Sequence, residues 1–153
     1  MKLYHFCANH MLKGILRDGL TLGRTPIQEP DPSDPEYFFL KGFLNNTQWM
    51  TIDPDWDTQS WCTSESIKYR RDDWRLTLDL GLAYRVRLLT AAQLCKREKL
   101  NPMLYDRFPG SENWRVYLGK IPAIKIVACD PRPTTHAAIL THAPTLAPTG
   151  GTA

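Results

Sequence analysis

A chain of 153 residues with 42% hydrophobic side chains has material for one ordinary core, not for two domains. A formal charge of +3 is too small to imply nucleic-acid binding by itself, and no apolar run approaches the roughly 20 residues of a membrane span. The opening Met-Lys-Leu-Tyr-His-Phe lacks the apolar stretch of a secretory leader, so a cytoplasmic protein with no membrane partner is expected.

The pattern predicts a strand over 2–6, where polar and apolar residues alternate, then a helix over 8–18 with Met11, Leu12, Ile15 and Leu16 at helical spacing. Asn9 is its candidate N-cap, Gly19 its stop, and residues 20–22 read as a short extended piece. Four prolines (Pro26, Pro30, Pro32 and Pro35) then predict an irregular loop or flap over 24–46. Its apolar end, residues 37–44, would either pack on the domain or cover a ligand. Residues 48–52 are strand-like, Asp53-Pro54 breaks them, and 56–62 fit one or two helical turns. Residues 74–80 alternate most clearly and predict a central strand, and 84–88 are a weaker strand candidate. Thr90 is placed to cap a helix running to about residue 99, with Asn101-Pro102 stopping it or starting a short second one. Strands are expected at 114–118 and 124–129, and 131–153, rich in Pro, Thr, Ala and Gly, reads as a disordered tail behind a domain of residues 1–130. Several short strands around few helices predict an α+β fold on a split, mostly antiparallel sheet.

Four scattered cysteines (Cys7, Cys62, Cys95 and Cys129) form no C-x-x-C pair and have no histidine spaced to complete a zinc site, which predicts reduced thiols and no metal. Basic clusters at Arg70-Arg71 and at Lys96-Arg97 with Lys99 read either as solvated surface or as phosphate contacts.

Three segments carry candidate chemistry. The first is Leu3-Tyr4-His5-Phe6, followed by a helix with Ile15-Leu16 and Gly19-Leu20. The second is Trp49-Met50-Thr51-Ile52-Asp53-Pro54, leading to Gln59-Ser60-Trp61. The third is Gly110-Ser111-Glu112-Asn113-Trp114, running on to Ile121-Pro122. Taken alone, His5 reads first as a satisfied core histidine.

In this order the three segments resemble the ADP-ribosyltransferase superfamily, which includes RNA 2'-phosphotransferases, poly(ADP-ribose) polymerases and DNA-modifying toxins. The resemblance covers residues 2–128, apart from a helical insert at 90–108. It implies that NAD is the substrate, with His5 on the ribose next to nicotinamide and the main chain of Phe6 on the carboxamide. Cys7 stands where many relatives carry a small hydroxyl residue. Trp49, Thr51 and Ser60 are implied at the nicotinamide pocket, since an aromatic face stacks on the ring and a hydroxyl orients its amide. Arg70 and Arg71, or Arg75 in competition with them, are implied at the pyrophosphate, which paired guanidinium donors match. Glu112 is implied as the catalytic carboxylate. The implied reaction transfers ADP-ribose to a macromolecular acceptor, and an inhibitor or antitoxin partner belongs to the same picture; the basic clusters slightly favour DNA or RNA over protein as acceptor. Variants are an NAD glycohydrolase and an RNA 2'-phosphate transfer onto NAD, and the rival from another class is a non-catalytic module that only binds ADP-ribose, nucleic acid or protein.

Overall fold

The computed structural model of the chain describes residues 1–34, 37–59, 69–106 and 108–133. The fold is α+β, with a mostly antiparallel sheet and a few short helices. Strand β1 (Lys2–Cys7) sends Leu3, His5 and Cys7 to one face and Tyr4 and Phe6 to the other. Helix α1 (Asn9–Asp18) follows directly. Its N-cap is Ala8, not Asn9, because the Asn9 side chain is engaged elsewhere: Oδ1 accepts from Trp74 Nε1 at 2.9 Å, while its backbone N–H donates to Asp73 Oδ2 at 2.8 Å. Gly19 ends the helix at φ 82°, and a Cβ there would lie 2.0 Å from the Ile121 carbonyl oxygen. Only glycine lets the chain turn so close to that neighbour. The extended piece expected at 20–22 is reduced to a single bridge between Leu20 and Ile121.

The irregular loop expected over 24–46 is instead a two-stranded antiparallel ribbon, β2 (Arg24–Pro30) against β3 (Phe38–Asn45). An isolated ribbon has an unpaired edge on each strand, and a proline whose missing N–H faces that edge breaks no ladder bond. Register shifts by one residue between Ile27 and Gln28, which leaves Lys41 as the extra residue of β3. Pro32 lies in the connecting bend. At the ribbon's base, Thr25 Oγ1 donates to Thr47 Oγ1 at 2.8 Å, buried under the main sheet.

The main sheet adds β4 (Thr47–Thr51), β5 (Trp74–Asp79), β6 (Leu88–Thr90), β7 (Trp114–Leu118) and β8 (Ile126–Pro131) to β1, in the order β6-β7-β4-β1-β5-β8. β1 pairs with β5 along its whole length, from Lys2 opposite Asp79 to Cys7 opposite Trp74. Against β4 it keeps one register position, Tyr4 opposite Thr51. The sheet is therefore two firm halves joined at a narrow seam.

Two expectations near the far strand need correction. The strand expected at 84–88 begins only at its last residue, Leu88: Gly81 opens a single helical turn, α2 (Leu82–Arg85), which sets Tyr84 against Tyr117 with ring centres 5.5 Å apart. Burial of that ring outweighs the local β-propensity. The last strand begins at Ile126, not at 124, because Pro122 leads into a 3-10 turn (Ala123–Lys125). The helix expected after Thr90 is α3 (Ala91–Glu98), opened by a full capping box in which Thr90 Oγ1 accepts from Gln93 N–H and Gln93 Oε1 from Thr90 N–H. Lys99 in the left-handed region ends it, and α4 (Met103–Asp106) follows.

Each face of the sheet has its own core. On one face Leu3, Cys7, Met50, Leu76 and Leu78 pack under Ile15 of α1, with Leu20 and Ile121. On the other, Val116 and Trp114 pack under Leu94 and Cys95 of α3 and Tyr105 of α4. Among the described residues no helix is long and apolar enough to cross a membrane. Cys7, Cys95 and Cys129 are free thiols. Cys62 and the tail beyond Pro133 lie outside the described residues, as do all but the first four positions of the expected 56–62 helix.

Candidate functional site

The seam between β1 and β4 is bridged by a side chain. His5 Nδ1 lies 2.8 Å from the Trp49 carbonyl oxygen, and since a carbonyl only accepts, Nδ1 carries the proton and Nε2 is left with its lone pair. Burial pulls the imidazole below the ordinary histidine value, against the smaller opposing pull of the bond to Trp49. His5 is thus a neutral, oriented imidazole that replaces a ladder bond where the two halves of the sheet part.

Around the seam, Tyr4, Thr51 and Trp114 form one row across β1, β4 and β7. His5 is one step beyond that row on β1. Glu112 is two residues before it, in the 3-10 turn (Ser111–Asn113) that enters β7. That turn closes over the end of β4: Ile52 N–H donates to the Asn113 carbonyl at 3.1 Å, and Arg115 Nη1 holds the Glu112 carbonyl at 2.9 Å. The Glu112 side chain is exposed. Thr51 is buried, and its Oγ1 accepts from Asp53 N–H at 3.0 Å, which starts the turn after β4.

That turn runs over the face of β1 that carries Tyr4 and Phe6. Asp53 and Asp55 each accept a backbone N–H two residues on, at 3.0 Å, and this folds Trp56 edge-on to Phe6 with ring centres 5.1 Å apart. Arg75 is committed here. Its guanidinium lies 5.7 Å from the Tyr4 ring and 5.4 Å from the Trp56 ring, while Nη1 donates to the Pro54 carbonyl and Nη2 pairs with Asp130 at 3.1 Å. Its Nε is buried with no hydrogen-bond partner.

Arg70 and Arg71 part company. Arg71 is exposed over Tyr69, whose ring meets His10. Arg70 makes a two-pronged pair with buried Asp72, 3.0 Å on each prong, and Asp72 also takes Arg132 Nη1. Arg70 and Arg132 then line a cavity of about 520 Å³ with Asn9, Trp74 and Pro131. A second cavity, about 410 Å³, lies between Cys95, Lys96, Lys99 and Asp106. Neither lining includes His5 or Glu112.

Trp49 is brought to His5 by its carbonyl only. Its indole packs against Tyr105 and Trp114, and Nε1 donates to Thr25 Oγ1 at 2.9 Å. Cys7 is buried in the core, with burial raising its thiol to about 12, so it is an inert thiol there. Ser60 lies outside the described residues.

Sequence reasoning missed Trp56, Asp72 and Arg132. The Asp53-Pro54-Asp55 turn signal was legible; that it would bring Trp56 onto Phe6 was not. Arg132 was hidden in a stretch that reads as tail, yet its backbone N–H donates to the Asp73 carbonyl at 2.8 Å and its Nη2 reaches Asp57 at 3.4 Å. Among the described residues no group of three or more His, Cys, Asp or Glu is gathered as a metal site would need. No family model, curated protein or solved structure matches the chain.

Proposed function

We propose that the chain is an NAD-dependent ADP-ribosyltransferase that moves ADP-ribose to a macromolecular acceptor and releases nicotinamide. The observation that carries this reading is the parted seam between β1 and β4, where a neutral, oriented His5 sits in the gap and the turn bearing Glu112 closes over the end of β4. The order of the three sequence segments supports it independently.

The residues suit a dinucleotide. His5 Nε2 accepts a ribose hydroxyl, and Phe6, beside it, offers its main chain to the carboxamide. Arg70, paired with Asp72 yet exposed at the rim of a cavity within the roughly 300–1,000 Å³ of small-molecule sites, is the cation offered to the pyrophosphate, in preference to Arg75, which is less exposed and held by Pro54 and Asp130. Trp56 adds an aromatic ring next to Phe6. When bound, NAD supplies a glycosidic carbon that gains positive charge as nicotinamide leaves. Glu112 stabilises that charge and takes the proton of the attacking group. DNA or RNA is favoured as acceptor over protein because of the basic clusters, and an inhibitor or antitoxin partner fits a chain of this kind.

One observation favours the non-catalytic alternative: the two cavities leave out both His5 and Glu112. Nicotinamide release from NAD, with and without DNA, RNA or cell lysate, separates the readings. Glu112→Gln removes the charge and keeps the shape, and is expected to slow release by about 10²- to 10³-fold. A Glu112→Gln protein as active as the parent would reject the mechanism, and tight NAD binding with no release by the parent would leave the binding module. Release unaffected by any acceptor would assign the glycohydrolase.

A further inference from the structure

Two exposed apolar surfaces outside the seam differ in charge. The first is centred on α2 and the 3-10 turn before β8. Leu82 and Val86, one helical turn apart, and Ile124 are between 75% and 86% exposed. The Lys125 ammonium sits 5.2 Å from the Tyr84 ring, which brings Ile124 beside α2. Leu118 N–H donates to the Arg87 carbonyl at 3.0 Å, which brings Lys120 to the same side. In residues 80–88 and 119–129 every charged side chain is basic: Arg85, Arg87, Lys120 and Lys125. The surface is aliphatic at its centre and cationic at its rim.

The second surface is the β2–β3 ribbon. Phe39, Leu40 and Phe43 are about half-exposed on it, and Tyr37 at its tip meets Phe39 at 5.5 Å. Its acidic charge lies toward the tip, at Asp31 and Asp34, because Glu29 is paired with Lys41 and Arg24 at the base lies over the Phe43 ring. An acidic strand pair repels a phosphate backbone and an anionic lipid surface alike. Its complement is apolar and cationic.

Within one molecule the two surfaces cannot meet. The ribbon packs through Ile27 and Leu44 onto the core under α3, whereas α2 packs through Tyr84 onto the core on the opposite face of the sheet. We propose that they meet between molecules: the acidic, aromatic ribbon of one copy docks on the cationic, aliphatic surface of a second copy, in a head-to-tail contact. Each copy gives one ribbon and receives one, so the contact propagates as an open chain or closes as a ring. Docking of a surface on its own kind is opposed by like charge at the acidic tip and on the cationic rim.

The test is light scattering after size exclusion, on the full chain over a wide concentration range at low and high salt. The mean mass should rise above the 17.6 kDa of one chain with concentration and fall back with salt. Arg85→Glu with Arg87→Glu, and separately Glu29→Lys with Asp34→Lys, should each hold the protein at the mass of one chain. All four side chains are on the surface. An equimolar mixture of the two variants restores both pairings, native and reversed, and should assemble again, which a misfolded variant would not do. A parent that keeps the mass of one chain at every concentration overturns the proposal. So does an assembly that either reversal leaves intact, or a mixture that stays apart.

Discussion

His5 ties the two halves of the sheet together through the Trp49 carbonyl. Its Nδ1–H replaces a backbone bond that β1 and β4 do not make, and desolvation in this partly buried position lowers its pKa despite that bond. A folded-state value below the ordinary 6.5 means that the unfolded chain binds the proton more readily. The stability that His5 contributes is therefore complete above about 6.5 and is lost as pH falls toward the lowered folded value. Urea midpoints measured across that window should fall with acid, and His5→Gln, which cannot titrate there, should flatten that part of the slope; an unchanged slope would show that the ring is not held neutral. In the proposed reaction His5→Ala should weaken NAD binding more than it slows turnover. Next to it in sequence, Cys7 is taken into the core, where the implied hydroxyl position becomes a packing position.

At the scale of elements, α1 and α3 end and begin by different means, and the difference is measurable. Gly19 has both a left-handed φ and no room for a methyl group, with the Ile121 carbonyl oxygen 2.0 Å from where a Cβ would stand. Gly19→Ala must displace the turn before the 3-10 helix and should cost about 3 kcal/mol. Thr90→Ala removes half of an exposed capping box and should cost about 1 kcal/mol. Chemical denaturation of the two variants checks the order; equal losses would mean that the α1 turn yields more easily than its geometry implies. The ribbon makes the complementary point. Counting prolines predicts a loop only if each missing N–H faces a neighbour, and on a ribbon with two free edges that premise fails.

For the whole molecule, Arg132, just after β8, is fastened back by its backbone N–H on the Asp73 carbonyl and by the buried Asp72 carboxylate. Asp72 takes Arg70 and Arg132, and Arg132 reaches on to Asp57 and lies 6.0 Å from the Trp56 ring. The start of β5, the end of β8 and the Trp56 turn are thus one unit. Asp72→Ala leaves two partly exposed guanidiniums without their shared partner and should cost about 1–3 kcal/mol. The prediction reaches further: the backbone amides of residues 55–57 should exchange hydrogen faster in the variant, because the Trp56 turn loses its tie. Lowered stability with unchanged exchange there would show Asp72 to be a local support only.

Much of this was legible in the chain by itself. Alternation placed β1, β5 and β7 nearly to the residue, Gly19 and Thr90 marked helix ends, and short strands around few helices indicated an antiparallel α+β fold, because these signals depend on neighbours along the sequence. The candidate residues His5, Glu112 and Arg70 were also visible as types at positions. What tertiary structure alone decided was how they are engaged: that Trp49 meets His5 through its carbonyl and not its ring, that Arg75 is locked while Arg70 lines a cavity, and that Trp56 and Arg132 converge from distant segments. Pairing across 44 residues, as between His5 and Trp49, is set by which strands become neighbours, and burial of two cores decides that for the whole sheet at once.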